Sequence, residues 1–217
     1  EMSHVMGLGT SAAVTLAVLA ALRHAQGLSI APEELVVPAI QVVRRAQGGV
    51  GSGADVAASA YGGCLRFHAE STEVVQLPTA PQLTVLYSGS KMPTPEVIAV
   101  VEAQRKAQPE LHARLDDLIG DAVNRAFEAA ARGDWPAMGA LMNINQGLMD
   151  ALGVNNAKLA ALVYELRADP KIHGSKISGS GLGDCVVGLG KAMRTEWGVP
   201  ALAVQVTPAG VLAEALP

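Results

Sequence analysis

The chain has 217 residues, half of them hydrophobic but only 3% aromatic, and a formal net charge of −4. That length supports one large or two small domains with a substantial core, and a core this poor in aromatics must be built from Ala, Val and Leu. Interspersed acids and bases, with no basic stripe, argue against a nucleic-acid binder. Two distant cysteines, Cys64 and Cys185, with no CxxC pair, argue against a disulfide framework or a structural zinc site and fit a reducing cytoplasm. The chain opens on Glu1, so it reads as trimmed or as a piece of a longer protein.

In chain order, the first element is the run GLGTSAAVTLAVLAAL, Gly7 to Leu22. No Lys or Arg precedes it, as a signal peptide would require, and the run is shorter than the ~20 residues that span a bilayer. No membrane segment is expected. Ser11 to Ala25 reads as a buried helix. A second helix starts at Ala31-Pro32-Glu33-Glu34 and runs to about Ala46. The glycine-rich stretch Gln47–Cys64 gives a loop, a short helix from about Ala54, and a turn at Gly62-Gly63. Strands follow at Cys64–His68, Glu73–Gln76 and Leu83–Tyr87. Apolar residues at 3–4 spacing predict four helices, Glu96–Ala107, Leu111–Arg132, Trp135–Leu152 and Asn156–Arg167, separated at Pro109, Gly133-Asp134 and Gly153. Lys176 to Gly190 reads as strand, glycine turn, strand. A helix near Lys191–Trp197 and strands at Ala201–Val206 and Val211–Ala215 complete the chain. Helices, strands, helices and strands in that order fit an α+β fold better than regular βαβ alternation.

Three glycine clusters, at 7–9, 48–53 and 179–183, each adjoin hydroxyl residues: Thr10 and Ser11, Ser52, Ser178 and Ser180. Glycines let backbone approach a ligand, and a helix that starts on such a turn aims free N–H groups and a positive dipole end at it, an arrangement suited to phosphate. A plain turn with Thr10 or Ser11 capping a helix is the competing reading. No Lys-Ser/Thr follows at Walker A spacing. Asp55, among Gly53, Ala54, Ala57 and Ala58, is either a helix cap or a site residue.

Taken together these stretches resemble the GHMP kinase superfamily of galactokinase, homoserine kinase, mevalonate kinase and phosphomevalonate kinase. Gly7-Leu8-Gly9-Thr10-Ser11-Ala12-Ala13 matches its second signature, Gly-Leu-Gly-Ser-Ser-Ala-Ala. Lys176 through Cys185 matches its third, Lys-x-Thr/Ser-Gly-Ala-Gly-Gly-Gly-Gly/Asp-Cys. Between them, Gly51-Ser52-Gly53-Ala54-Asp55-Val56-Ala57-Ala58 is similar to the segment that carries the family's aspartate, especially in its phosphomevalonate kinase form, and residues 141–154 resemble the stretch before the third signature in mevalonate kinases. The resemblance implies a ribosomal-protein-like ATP-binding first domain, here N-terminally incomplete, over residues 1–90, and a ferredoxin-like α+β second domain over 91–217.

It also implies an ATP- and Mg²⁺-dependent kinase of the mevalonate route, acting on mevalonate or phosphomevalonate. Gly7, Leu8, Gly9, Thr10, Ser11, Ala12, Gly179, Ser180, Gly181 and Gly183 would hold ATP. Ser11 would help hold Mg²⁺, Asp55 would serve the acceptor hydroxyl, and Ser52, Gly53, Lys91 and Ser178 are weaker substrate-side candidates. Phosphoryl transfer needs mainly positioning and charge neutralisation, so this set is sufficient in kind. Three departures stand out. Leu182 interrupts the third glycine run. Arg44 occupies the position, eleven residues before Asp55, where mevalonate kinases place a Mg²⁺-binding Glu, and phosphomevalonate kinase-like segments tend to lack that Glu too. Nothing matches the family's first signature, so sheet strands are missing and apolar surface should be exposed. A homodimer, or a separate chain supplying the missing part, would then be the partner.

A rival from another class is a kinase-fold nucleotide-binding or assembly module without activity, and a homoserine or sugar acceptor is a further option among enzymes. Lys91 either meets substrate or is a solvated loop lysine. Asn143, Asn145 and Gln146 are either substrate-side or ordinary polar-face residues, and Asp184 either orients the glycine turn or begins a strand. His4, His24, His68, His112 and His173 are too scattered for a metal site. Cys64 and Cys185 read as buried small hydrophobes, and Met142 and Met149 as core fillers of one helix.

Overall fold

The computed structural model describes residues 8–77 and 79–213. The chain divides into two units, Leu8–Ala80 with the described part of Val206–Pro217, and Pro81–Gln205.

The first unit holds helices α1 (Thr10–Ala25), α2 (Pro32–Ala46) and α3 (Ala54–Tyr61) and the hairpin β1 (Leu65–His68) and β2 (Glu73–Gln76). Its core interleaves Ala12, Leu16 and Ala20, four apart on α1, with Leu35, Ala39 and Ile40 of α2 and Val56 and Ala60 of α3. Small side chains let the three helices approach closely, as the composition suggested. Only one face of α1 is buried. Val14, Val18 and Leu22 on another face are 52%, 54% and 58% exposed, so this helix is apolar around most of its girth and covered on one side.

The second unit contains β3 (Gln82–Tyr87), α4 (Thr94–Ala107), α5 (Pro109–Ala131), α6 (Trp135–Ala151), α7 (Ala157–Arg167), β4 (Ser175–Ser178), β5 (Cys185–Leu189) and β6 (Ala201–Gln205). The four strands form one antiparallel sheet in the order β4-β5-β3-β6. Leu86, Ile177 and Val186 from the sheet pack against Leu159, Leu162, Val163 and Leu166 of α7. Because β3 is central in this sheet, it groups with the residues after it, and the break drawn from the sequence at 90/91 falls beyond it. Pro109 starts α5 rather than separating helices. The break is at Gln108, whose φ of −141° and ψ of 67° leave the helical region.

Two expected elements are absent. Residues 191–197 are not helical: Ala192 N donates to Thr84 Oγ1 of β3, and Met193 N and Arg194 N donate to the carboxylate of Asp169, just past α7, bonds that tie the segment down at both points. Residues 211–213 form no strand. This segment instead docks on the end of α3, with Gly63 N donating to Thr207 O and Val211 N to Ala60 O; Glu214 and Ala215 lie outside the described residues. Among the described residues no helix is long and apolar enough to cross a membrane.

Candidate functional site

The first unit places two of the glycine turns together. Gly9, at φ +73°, precedes α1 as its N-cap, and Gly53, at φ +85°, precedes α3 in the same way; neither helix has a cap bond from its N-cap side chain. The N–H groups of Thr10, Ser11 and Ala12 have no acceptor within α1, and no acid lies in its first turn. The hydroxyl-capping reading fails here, because the N-cap is glycine. Thr10 Oγ1 is buried without a partner. Ser11 is exposed, Leu8 is half-buried, and Ala12 has its methyl sealed in the core, leaving only its backbone to face a ligand. A Cβ built on Gly9 would sit 3.4 Å from Asp55 Cβ, so the two helix starts adjoin. Gly7 lies outside the described residues.

Asp55 is not the cap of α3. It is the second helical residue, exposed, and its Oδ1 accepts from Val56 N at 3.0 Å. What holds this acid in place is α2. Gly53 is buried where a Cβ would lie 2.6 Å from the Ile40 side chain. Arg44 Nε donates to Gly51 O at 2.8 Å, and its Nη2 to Ser52 O at 3.3 Å. Arg44 O in turn accepts from Gly49 N at 2.7 Å. Ser52 Oγ accepts from Ala54 N. Sequence reasoning noted Arg44 only as a missing acid; its role as the clamp of the loop before Asp55 was not legible.

The third glycine turn belongs to the second unit. It is held between two other loops: Leu182 N donates to Val154 O at 2.7 Å, Asp184 N to Ser90 O at 2.7 Å, and Ser88 N to Asp184 O at 2.9 Å. Leu182 and Asp184 adopt φ of +57° and +60°, a conformation that costs a side-chain-bearing residue of order 1 kcal/mol and persists only when surrounding bonds impose it. Gly181, at φ +96°, sits where a Cβ would meet Val154 O at 2.3 Å. Gly179 carries no neighbour within 4 Å of its Cβ position, so this edge of the turn is open; Gly183 packs on the Ser90 carbonyl instead. Ser178 and Ser180 are half-buried around it.

Lys91 Nζ stands 3.9 Å from Asp184 Oδ1. Burial pushes the Asp184 carboxyl up, and Lys91 pulls it back down. Asp184 therefore both orients the turn and leads into β5. Burial raises the Cys185 thiol to about 11. Lys176, which the sequence reading passed over as a site residue, has its ammonium shielded in the protein and donating to Ile177 O at 2.6 Å; burial lowers it to about 8. A lone lysine in an alternating strand was the available signal. Gln146 and Asn143 are structural. Gln146 Oε1 accepts from Ile177 N at 2.7 Å and Asn143 Oδ1 from Ser175 N at 3.0 Å, so α6 closes the β4 edge of the sheet.

Uncapped N–H groups opened by glycine, next to an exposed carboxylate, are the donor set a polyphosphate calls for. For a cation the first unit offers the Ser11 hydroxyl and Asp55. No group of three or more His, Cys, Asp or Glu residues that could enclose a metal occurs among the described residues. Any divalent ion here would be held mainly by the phosphates and water, as Mg²⁺ commonly is.

The chain is similar to known proteins over most of its length. The family models described as GHMP kinases N terminal domain and GHMP kinases C terminal match residues 1–63 and 126–194. The chain is 34% identical over 195 residues to the mevalonate kinase of Pyrococcus furiosus, covering 88% of this chain and 58% of that protein. Its identity to the mevalonate kinase of Methanothermobacter thermautotrophicus is 32% over 211 residues, covering 90% and 69%. Among solved structures, that of L. major mevalonate kinase in complex with R-mevalonate superposes with a TM-score of 0.74 at 29% identity, over 87% of this chain and 58% of that one. The chain thus spans less than two thirds of the Pyrococcus and L. major proteins. With family models at both ends and a relative matched over most of either sequence, the chain belongs to the GHMP kinase family.

Proposed function

We propose that this chain, in the setting of the whole enzyme, serves a kinase of the mevalonate route that transfers the γ-phosphoryl group of ATP to the hydroxyl of mevalonate. The observation that carries the reading is the uncapped, glycine-led start of α1 with Asp55, on the first turn of α3, beside it. Identity above 30% to two mevalonate kinases favours mevalonate over phosphomevalonate as acceptor.

In this reading the N–H groups of Thr10, Ser11 and Ala12 and the turn backbone at Gly9 cradle phosphate oxygens, with Thr10 Oγ1 adding a donor that is otherwise orphaned in the fold. In the second unit the turn at Gly179 and Ser180 has an open edge, and we keep it as a phosphate-binding candidate in its own right, with Lys91 as a substrate-side cation. Mg²⁺, when bound through Ser11 and the phosphates, neutralises charge on the transferring group. Asp55 accepts the proton of the acceptor hydroxyl, a role that suits an exposed carboxylate. Cytoplasmic operation fits the free thiols of Cys64 and Cys185, and the reading allows a homodimer.

One observation favours a second reading, a nucleotide-binding module without turnover: the position of the family's Mg²⁺-binding acid holds Arg44, and its guanidinium is committed to the Gly51 and Ser52 carbonyls. The test is ADP release by the intact enzyme with mevalonate and with phosphomevalonate, beside ATP binding by calorimetry. Asp55→Asn should lower kcat about 10²- to 10⁴-fold with mevalonate and leave ATP affinity within about threefold. ATP binding without turnover on either acceptor would support the module and refute the kinase.

A further inference from the structure

At the end of the four-stranded sheet away from the turn at 179–184, where β5 finishes and β3 begins, the second unit contains a cavity of about 250 Å³. Trp135, Lys171, His173, Leu189 and Lys191 line it. We propose that this cleft binds a small metabolite bearing a phosphate or diphosphate group. The inference is independent of the kinase reading.

The cleft is assembled from distant parts of the chain by two close backbone approaches. Gly190, at φ +128°, passes where a Cβ would lie 2.2 Å from Lys171 O, and this sets Lys171 and Lys191 side by side. Gly139 of α6 sits where a Cβ would lie 2.3 Å from His173 O, which lays the N-terminal turn of α6, led by Trp135, against His173. The 190–192 segment is pinned further: Gly190 N donates to Gln82 O, Thr84 Oγ1 to Gly190 O, and Ala192 N to Thr84 Oγ1. These contacts define a rigid frame.

Among the described residues neither Lys171 nor Lys191 has an acidic partner within 4 Å. The carboxylates of Asp169 and Asp134 are hydrogen-bonded to backbone instead. Asp169 accepts from the N–H groups of Lys171, Met193 and Arg194, and Asp134 accepts from Ala137 N. In a chain of net charge −4, two lysines without acidic partners and an imidazole around one concavity suit an anion, and Trp135 and Leu189 give it an apolar wall. A volume of about 250 Å³ falls below the roughly 300–1,000 Å³ of drug-sized sites, so the ligand is small.

The test uses inorganic pyrophosphate and tryptophan emission. Trp197, buried and donating from Nε1 to Arg194 O, is replaced in the reporter protein Trp197→Phe, so that Trp135 is its remaining tryptophan. We expect a saturable change in emission with Kd below about 5 mM. Lys171→Gln with Lys191→Gln should weaken it about tenfold or more, while Gly9→Ala leaves it unchanged. Both lysines are exposed, and an unchanged circular dichroism spectrum and melting temperature check that the double variant folds. No saturable response, or one that the double variant weakens by less, overturns the proposal.

Discussion

Replacing Arg44 by alanine removes the clamp on the loop that leads to Asp55. Two hydrogen bonds from a guanidinium to carbonyls are lost, at 2.8 and 3.3 Å. Bonds from charged donors are worth about 1.5–3 kcal/mol each when buried, but Arg44 is half-buried, so solvent screening reduces the pair to about 1–2 kcal/mol. The loop holds glycines at positive φ at 48, 49, 51 and 53, and in the variant it keeps only the backbone bond from Gly49 N to the residue-44 carbonyl, the Ser52 Oγ bond and the packing of Gly53 on Ile40. A loss of this size lowers the population of the ordered loop by a factor of about 5–30. The turnover assay should therefore show kcat reduced about 5- to 30-fold, with ATP affinity nearly unchanged because the α1 turn is built independently, and with a melting temperature lower by a few degrees. Arg44→Lys keeps the charge but loses the two-pronged geometry, and should recover little. Arg44→Glu restores the acid that mevalonate kinases carry, yet sets a carboxylate against two carbonyl oxygens; it should be worse than alanine. Higher turnover and tighter Mg²⁺ dependence in Arg44→Glu, or a kcat within twofold of wild type in Arg44→Ala, would refute the clamp.

Two further outcomes are expected. Lys176→Met should stabilise the protein at pH 7 and flatten its stability in alkaline solution. With the ammonium lowered to about 8 in the fold, the unfolded chain binds a proton that the folded chain has released between about pH 8 and 10.5, so wild-type stability rises with pH across that window. The full effect is at most about 3 kcal/mol, and about 1–2 kcal/mol after screening of a half-buried side chain; denaturant titrations at pH 7, 9 and 10.5 measure it, and an equal rise in the methionine variant contradicts the assignment. Gly181→Ala should lower the melting temperature markedly and disorder the third turn, since its methyl would meet the Val154 carbonyl at 2.3 Å at φ +96°; the loss should exceed about 2 kcal/mol, and a variant as stable as wild type would show that the turn is not so confined.

Most elements were legible because their signals are local. Leu16 and Ala20 on α1, and Leu159, Leu162, Val163 and Leu166 on α7, follow helical spacing, and each lies buried. The same logic failed at 191–197. There Thr84 and Asp169, distant in sequence, anchor the backbone of 192–194 in a non-helical course. It failed differently on α1, whose uniformly apolar sequence suggested full burial while Val14, Val18 and Leu22 are exposed; periodicity finds a buried face only where the other face is polar.

The glycine turns, the acid and their family signature could be read from residue order alone, because glycines at positive φ and free helix starts are local backbone demands. Which groups hold them could not. That Arg44 clamps the Asp55 loop, that Val154 and Ser90 impose left-handed backbone on Leu182 and Asp184, and that Lys171 and Lys191 share a cleft are consequences of chain segments meeting in space, and pairings of that kind leave no periodic trace along the sequence.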